Sequence, residues 1–107
     1  MSLRQLGGEF DELRAEYRRG MPEKLARMEK LWALVAGSRA VGPPLRELCL
    51  ELHTVAGSAG SFGLPEVSTA ALAAENHLIA SSSIGAAERA AMDRLLEEMK
   101  KVALPPS

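Results

Sequence analysis

One short stretch of this 107-residue sequence departs from ordinary helix composition: Leu52-His53-Thr54-Val55-Ala56-Gly57-Ser58-Ala59-Gly60-Ser61-Phe62-Gly63. Glycine inside a helix costs about 1 kcal/mol relative to alanine, yet Gly57 and Gly60 both follow closely on His53. Projected at about 100° per residue, the segment divides into three faces. Leu45, Leu48, Leu52, Val55 and Ala59 make an apolar side, while Glu47, Glu51, Thr54 and Ser58 make a solvated one. His53 falls on the border, on a strip shared with Arg46, Leu50, Gly57 and Gly60. The spacing predicts an accessible imidazole with bare backbone one turn further on. Such a surface has room for a second protein to bring a reactive group to the ring.

The ring also has a candidate orienting group. Gly63 followed by Pro65 reads as a helix end and an immediate new beginning. If the resulting antiparallel hairpin turns at Leu64, residues equidistant from it share a height. His53 and Glu75 are each eleven residues from Leu64. Glu75 flanks the apolar stripe of the following helix, so its carboxylate is placed to reach the imidazole. A carboxylate that accepts Nδ1–H fixes the tautomer and leaves the Nε2 lone pair as a nucleophile.

The other reactive residue types read as structural. His77 projects from the opposite flank of its helix and receives no role. Ser58 and Ser61 are expected to bond local backbone, and Cys49 to pack at the core edge as an inert thiol. Trp32 and Phe62 are expected core anchors. Gly57-Ser58-Ala59-Gly60-Ser61 lacks the lysine of a phosphate-binding loop and sits within a helical pattern, so no nucleotide site is expected. No His and carboxylate spacing argues for a metal.

The elements that position these residues all read at helical period. Leu3, Leu6, Phe10, Leu13 and Tyr17 form a first apolar stripe, expected to break near Gly20-Met21-Pro22. Leu25, Met28, Leu31, Trp32 and Val35 form a second that stops at Gly37. After a loop from Ser38, Pro43-Pro44 restarts a helix through Ala59. Val67, Ala70, Ala71, Ala74 and Leu78 mark the next, and Ser81 to Gly85 a short loop. Ala87, Ala91, Met92, Leu95, Met99 and Val102 mark the last helix, which Pro105-Pro106 ends. The reading is an all-α, up-down four-helix bundle with an additional N-terminal helix. It forms one domain over 1–107, with flexible ends near 1–5 and 104–107.

Composition narrows the function further. Thirteen Lys and Arg against fourteen Asp and Glu leave no basic excess to displace counterions from nucleic acid. A single cysteine excludes a disulfide framework and fits a reducing compartment. No apolar run approaches a membrane span, and Met-Ser-Leu-Arg-Gln lacks a signal peptide's apolar stretch, so a cytoplasmic protein is expected.

The run from His53 to Gly63, His-Thr-Val-Ala-Gly-Ser-Ala-Gly-Ser-Phe-Gly, resembles the signature of histidine-containing phosphotransfer (HPt) domains. The resemblance implies a phosphorelay intermediate, not an enzyme in its own right, with His53 as the phosphorylated residue and Gly57 as the small residue one turn away. Glu75 falls where the HPt domains of chemotaxis-type kinases carry a glutamate bonded to the histidine ring. The implied partners are a response-regulator receiver domain, a histidine kinase, or both. The chain would need no cofactor of its own, because Mg²⁺ belongs to the receiver, and it would act as a monomer. Arg46, Leu50, Gly57 and Gly60 would form the docking strip. The family usually has lysine three residues after the histidine, whereas this chain has Ala56. Arg46, Thr54 or a cation of the partner are the candidate replacements. That departure motivates one alternative, a bundle that docks receivers without carrying phosphate; a second is the HPt portion of a larger sensor kinase.

Overall fold

The computed structural model describes residues 3–36, 42–80 and 85–103. They form four helices, α1 (Leu3–Ala36), α2 (Pro43–Ser58), α3 (Pro65–Ala80) and α4 (Ala86–Ala103), with no strand among the described residues. The expected stop at Gly37, the loop onward from Ser38 as far as 41, positions 81–84 of the Ser81–Gly85 loop, and the ends at 1–2 and 104–107, with Pro105-Pro106, lie outside the described residues. Leu3 to Gln5 form the first turn of α1.

The helix ends follow from local chemistry. Pro43 and Pro44 occupy the first turn of α2, where their missing N–H groups leave nothing unsatisfied. The Gly42 carbonyl accepts from the amides of Leu45 and Arg46 at 3.1 and 3.3 Å. At the other end, Gly63 takes φ +83°, a left-handed conformation that favours glycine. Its N–H donates to the Gly60 carbonyl at 3.2 Å and the Leu64 N–H to the Ala59 carbonyl at 2.8 Å. These paired bonds close the chain in a Schellman turn and send it straight into Pro65. At the start of α4 the Gly85 N–H donates to Glu88 Oε2 at 3.0 Å, so a first-turn side chain caps an orphan donor.

α2 and α3 pack as an antiparallel hairpin; α1 lies against α2 and α4, and faces α3 across the shared core. The core runs through all four helices, with Met21, Met28, Leu48, Leu52, Val55, Val67, Met92 and Met99 fully buried. α3 presents Ala70, Ala71 and Ala74 inward, which brings its neighbours close. α1 and α4 are tied by Trp32 Nε1–H, which donates to Asp93 Oδ1 at 2.8 Å. Trp32 is buried, as expected of an anchor, whereas Phe62 is half-buried and stacks on Tyr17 with ring centroids 4.5 Å apart.

Two expectations about the helices are corrected. The additional N-terminal helix does not stand apart: α1 continues unbroken through Pro22. Tyr17, Met21, Leu25, Met28 and Trp32 recur at i+4, i+4, i+3 and i+4, so the inward face keeps its phase across the proline. Packing of that face outweighs the lost hydrogen bond. The first stripe is also only partly used. Arg14 and Arg18 lie beside Gly63 at the α2–α3 turn, and Phe10 and Leu13, further toward the N-terminus, are exposed. On α4 the buried set is Met92, Leu96, Met99 and Ala103, while Leu95 and Val102 are half-buried and Ala87 is exposed.

A proline inside a helix costs about 3 kcal/mol, part of which is recovered by its restriction of the unfolded chain. Pro22 is exposed, so Pro22→Ala restores a backbone donor without disturbing the core. The variant is expected to gain about 1–2 kcal/mol in urea denaturation. No gain would show that α1 is interrupted at this point.

Candidate functional site

The site rests on the α2–α3 hairpin. Its register brings His53 of α2 against Glu75 of α3, with Nδ1 2.9 Å from Oε2. The two side chains have opposite environments: that of His53 is 73% exposed and that of Glu75 only 11%. An ionised carboxylate can only accept, so the neutral ring donates through Nδ1–H. The lone pair then resides on Nε2, on a ring open to solvent.

The close contact between the helices has identifiable causes. Ala71 and Ala74, both fully buried, make up the turn leading into Glu75 and hold little volume between α3 and the rest of the core. Ser68 Oγ–H donates across the interface to the Ala56 carbonyl. A Cβ added to Gly60 would lie 3.8 Å from Ser68 Oγ, ordinary contact distance, whereas one added to Gly57 would meet nothing within 4 Å. Gly60 therefore lies against α3, and Gly57 faces open space beside the ring.

The remaining members of the strip are exposed. Arg46, Leu50, Gly57 and Gly60 line one side of α2 with His53. The hydroxyls nearby are already engaged: Thr54 Oγ1–H donates to the Leu50 carbonyl at 2.9 Å and Ser58 Oγ–H to the Thr54 carbonyl at 2.7 Å. Ser58 Oγ is also 2.9 Å from the Tyr17 hydroxyl. Ser61 is exposed and His77 half-buried. Cys49 sits half-buried one turn before His53. Burial pushes its thiol pKa up, and the Glu75 carboxylate adds to the shift, so it stays a protonated, unreactive thiol near neutral pH.

Two exposed apolar residues on the Glu75 side of α3 were not singled out from the sequence. Leu72 and Ile79 are 49% and 69% exposed, and they lie three residues before and four after Glu75, on its side of α3. With Leu50, 64% exposed on α2, they give the His53–Glu75 side of the hairpin exposed apolar surface. Their signal was available: both fall off the Val67, Ala71, Ala74, Leu78 stripe while remaining large and apolar.

The charge on the hairpin is one-sided. Between Pro43 and Ala80 the only Lys or Arg is Arg46, against Glu47, Glu51, Glu66 and Glu75. Ala56 is half-buried at the core margin and brings no charge. Among the described residues, no group of three or more His, Cys, Asp or Glu is placed to hold a metal ion. None of the described helices is long and apolar enough to cross a membrane.

Residues 12–103 match the family model of the Hpt domain. No curated protein and no solved structure matches the chain.

Proposed function

The chain belongs to the Hpt domain family, whose members are phosphotransfer intermediates of two-component phosphorelays, and from that premise we propose that His53 is the residue that carries the phosphoryl group. The observation that carries this reading is the pairing of an exposed imidazole with a nearly buried carboxylate, 2.9 Å from Nδ1. In the reaction, the Nε2 lone pair attacks the phosphorus of a receiver's aspartyl phosphate. An N–P bond forms, the P–O bond to the aspartate breaks, and the carboxylate leaves with the electron pair. The ring gains positive charge as it attacks. Glu75, holding the Nδ1 proton, stabilises that charge and keeps the ring in the reactive orientation. Transfer onward to a receiver is the same step reversed, and a histidine kinase is the other candidate donor.

The partner meets the strip of Arg46, Leu50, Gly57 and Gly60, with Leu72 and Ile79 adding exposed apolar surface. Gly57 leaves space for the partner's reacting group to approach the ring. Mg²⁺ and the remaining catalytic groups come with the receiver. A second reading, docking without phosphotransfer, draws on Ala56, which leaves the turn after His53 without a cation.

Incubation with a phosphorylated receiver domain separates the two. Phosphotransfer gives an acid-labile, base-stable label on the chain; docking alone gives binding without label. His53→Gln is expected to abolish labelling with helical content unchanged, and a labelled His53→Gln protein would sink the assignment.

A Cβ at Gly57 meets nothing within 4 Å, so Gly57→Arg starts its side chain in open space beside the ring. It is expected to block transfer from the receiver while circular dichroism shows an intact fold. Transfer at the normal rate would move the docking surface elsewhere.

Glu75→Ala keeps the nucleophile but removes the group that orients it. Positioned proton-handling groups contribute about 10²–10⁴ in rate, and the receiver supplies much of the machinery. A slowing of about tenfold is therefore expected, with an altered Nδ1/Nε2 tautomer ratio for His53 by ¹⁵N NMR. An unchanged ratio would reduce Glu75 to a structural carboxylate.

A further inference from the structure

Resting on the phosphotransfer reading, we infer that Arg46 is an anchor for a carboxylate of the docked receiver and sets the direction in which the receiver lies on the strip, with no contact to the phosphoryl group itself. Three observations carry this.

The first is position. Arg46 is exposed and shares the His53 face of α2, two turns closer to the N-terminus. Seven residues of helix separate the two Cα atoms by about 10 Å. Side chains on a helix all lean toward its N-terminus, so guanidinium and imidazole shift together and keep about this separation. A phosphoryl group on Nε2 is thereby out of its reach, while a partner seated over the ring extends well past this distance.

The second is availability. The residues three and four positions from Arg46 are Pro43 and Gly42 on one side, Cys49 and Leu50 on the other, so its own helix offers no carboxylate at pairing distance. The two glutamates that could compete are turned toward α1. Arg27 Nε lies 3.0 Å from Glu51 Oε1, and Arg27 Nη2 lies 3.9 Å from Glu47 Oε2. Arg46 forms no ion pair among the described residues and keeps its five donors for an incoming anion.

The third is uniqueness on the hairpin, the α1 cations Arg14 and Arg18 lying past the other end of the strip at Gly63. No other Lys or Arg lies between Pro43 and Ala80, and Leu50, Leu72, Ile79, Gly57 and Gly60 are uncharged. Exposed apolar surface on the His53 side of the hairpin fixes the distance of approach but is nearly indifferent to rotation about the ring. One cation at one end of the strip breaks that indifference. A receiver with a carboxylate about 10 Å from its phosphorylated aspartate docks in a single direction, and one lacking it docks more weakly. Arg46 thus acts as a specificity residue and leaves the chemistry at the ring untouched.

The test measures transfer from a phosphorylated receiver domain to the intact chain at several ionic strengths, alongside loading of His53 with phosphoramidate, which needs no protein partner. Arg46→Ala is expected to raise KM about threefold at low salt with kcat unchanged, the size of an exposed ion pair. It should also flatten the fall of transfer with rising salt, and Arg46→Lys should restore both properties. In phosphoramidate-loaded protein without receiver, the phosphohistidine half-life should be equal in wild type and Arg46→Ala. A shorter half-life in the variant would place Arg46 on the phosphoryl group and overturn the inference, as would an unaltered KM and salt dependence. If neither donor labels wild-type His53, the phosphotransfer reading itself has failed and Arg46 loses its role with it.

Discussion

Every property of the site depends on how closely α2 and α3 approach. The small inward face of α3, with Ala71 and Ala74 fully buried, lets the helices come near enough for Ser68 to reach the Ala56 carbonyl. The same approach lets a short glutamate side chain reach a ring on the opposite helix. Larger residues at these positions would spread the hairpin by the width of a side chain, and a 2.9 Å contact would not survive that. The Schellman turn at Gly63 fixes the remaining degree of freedom, the sliding of one helix along the other.

Burying Glu75 is costly in isolation, because a carboxylate leaving water loses hydration that apolar neighbours do not replace. The Nδ1–H of His53 supplies a hydrogen bond in return, and the exposed ring remains hydrated on its other side. The arrangement is therefore unequal: the carboxylate is fixed by its surroundings, and the ring is fixed by the carboxylate. The imidazole stays outside while the carboxylate that orients it stays inside. Cys49, nearby and half-buried, has its thiol held protonated by burial and by that same carboxylate, so it stays unreactive near neutral pH.

Much of this was legible in the sequence. The three faces of α2 followed from spacing alone, and the symmetry about Leu64 anticipated the neighbour of His53, because a hairpin with a tight turn converts sequence distance into height. What was not legible depended on tertiary balance. The proline and glycine near position 20 are local breaking signals, and they lost to an apolar face whose phase runs on from Tyr17 to Trp32. On α4 the choice between Leu95 and Leu96 is a rotation of one residue, which periodicity does not resolve when both are leucine. Leu72 and Ile79 stand off the buried stripe of α3 as large apolar residues, a signal that gains meaning only once the hairpin register puts Glu75 against His53. The Ser58 hydroxyl bonds local backbone as its residue type and place suggested, whereas nothing in the sequence marked the Thr54 hydroxyl as taken by the Leu50 carbonyl.

The continuity of α1 also governs how the whole molecule moves in water. The helix spans Leu3–Ala36, about twice the length of its neighbours, and carries the long axis of a body measuring 54 × 28 × 19 Å. Drag on such a rod-like body exceeds that on a sphere of equal mass, so a single chain elutes early in gel filtration and its apparent mass overstates its true one. Rotation about the long axis is also faster than end-over-end tumbling. The backbone N–H bonds of α1 all lie close to the helix axis, so their relaxation reports the slower end-over-end tumbling.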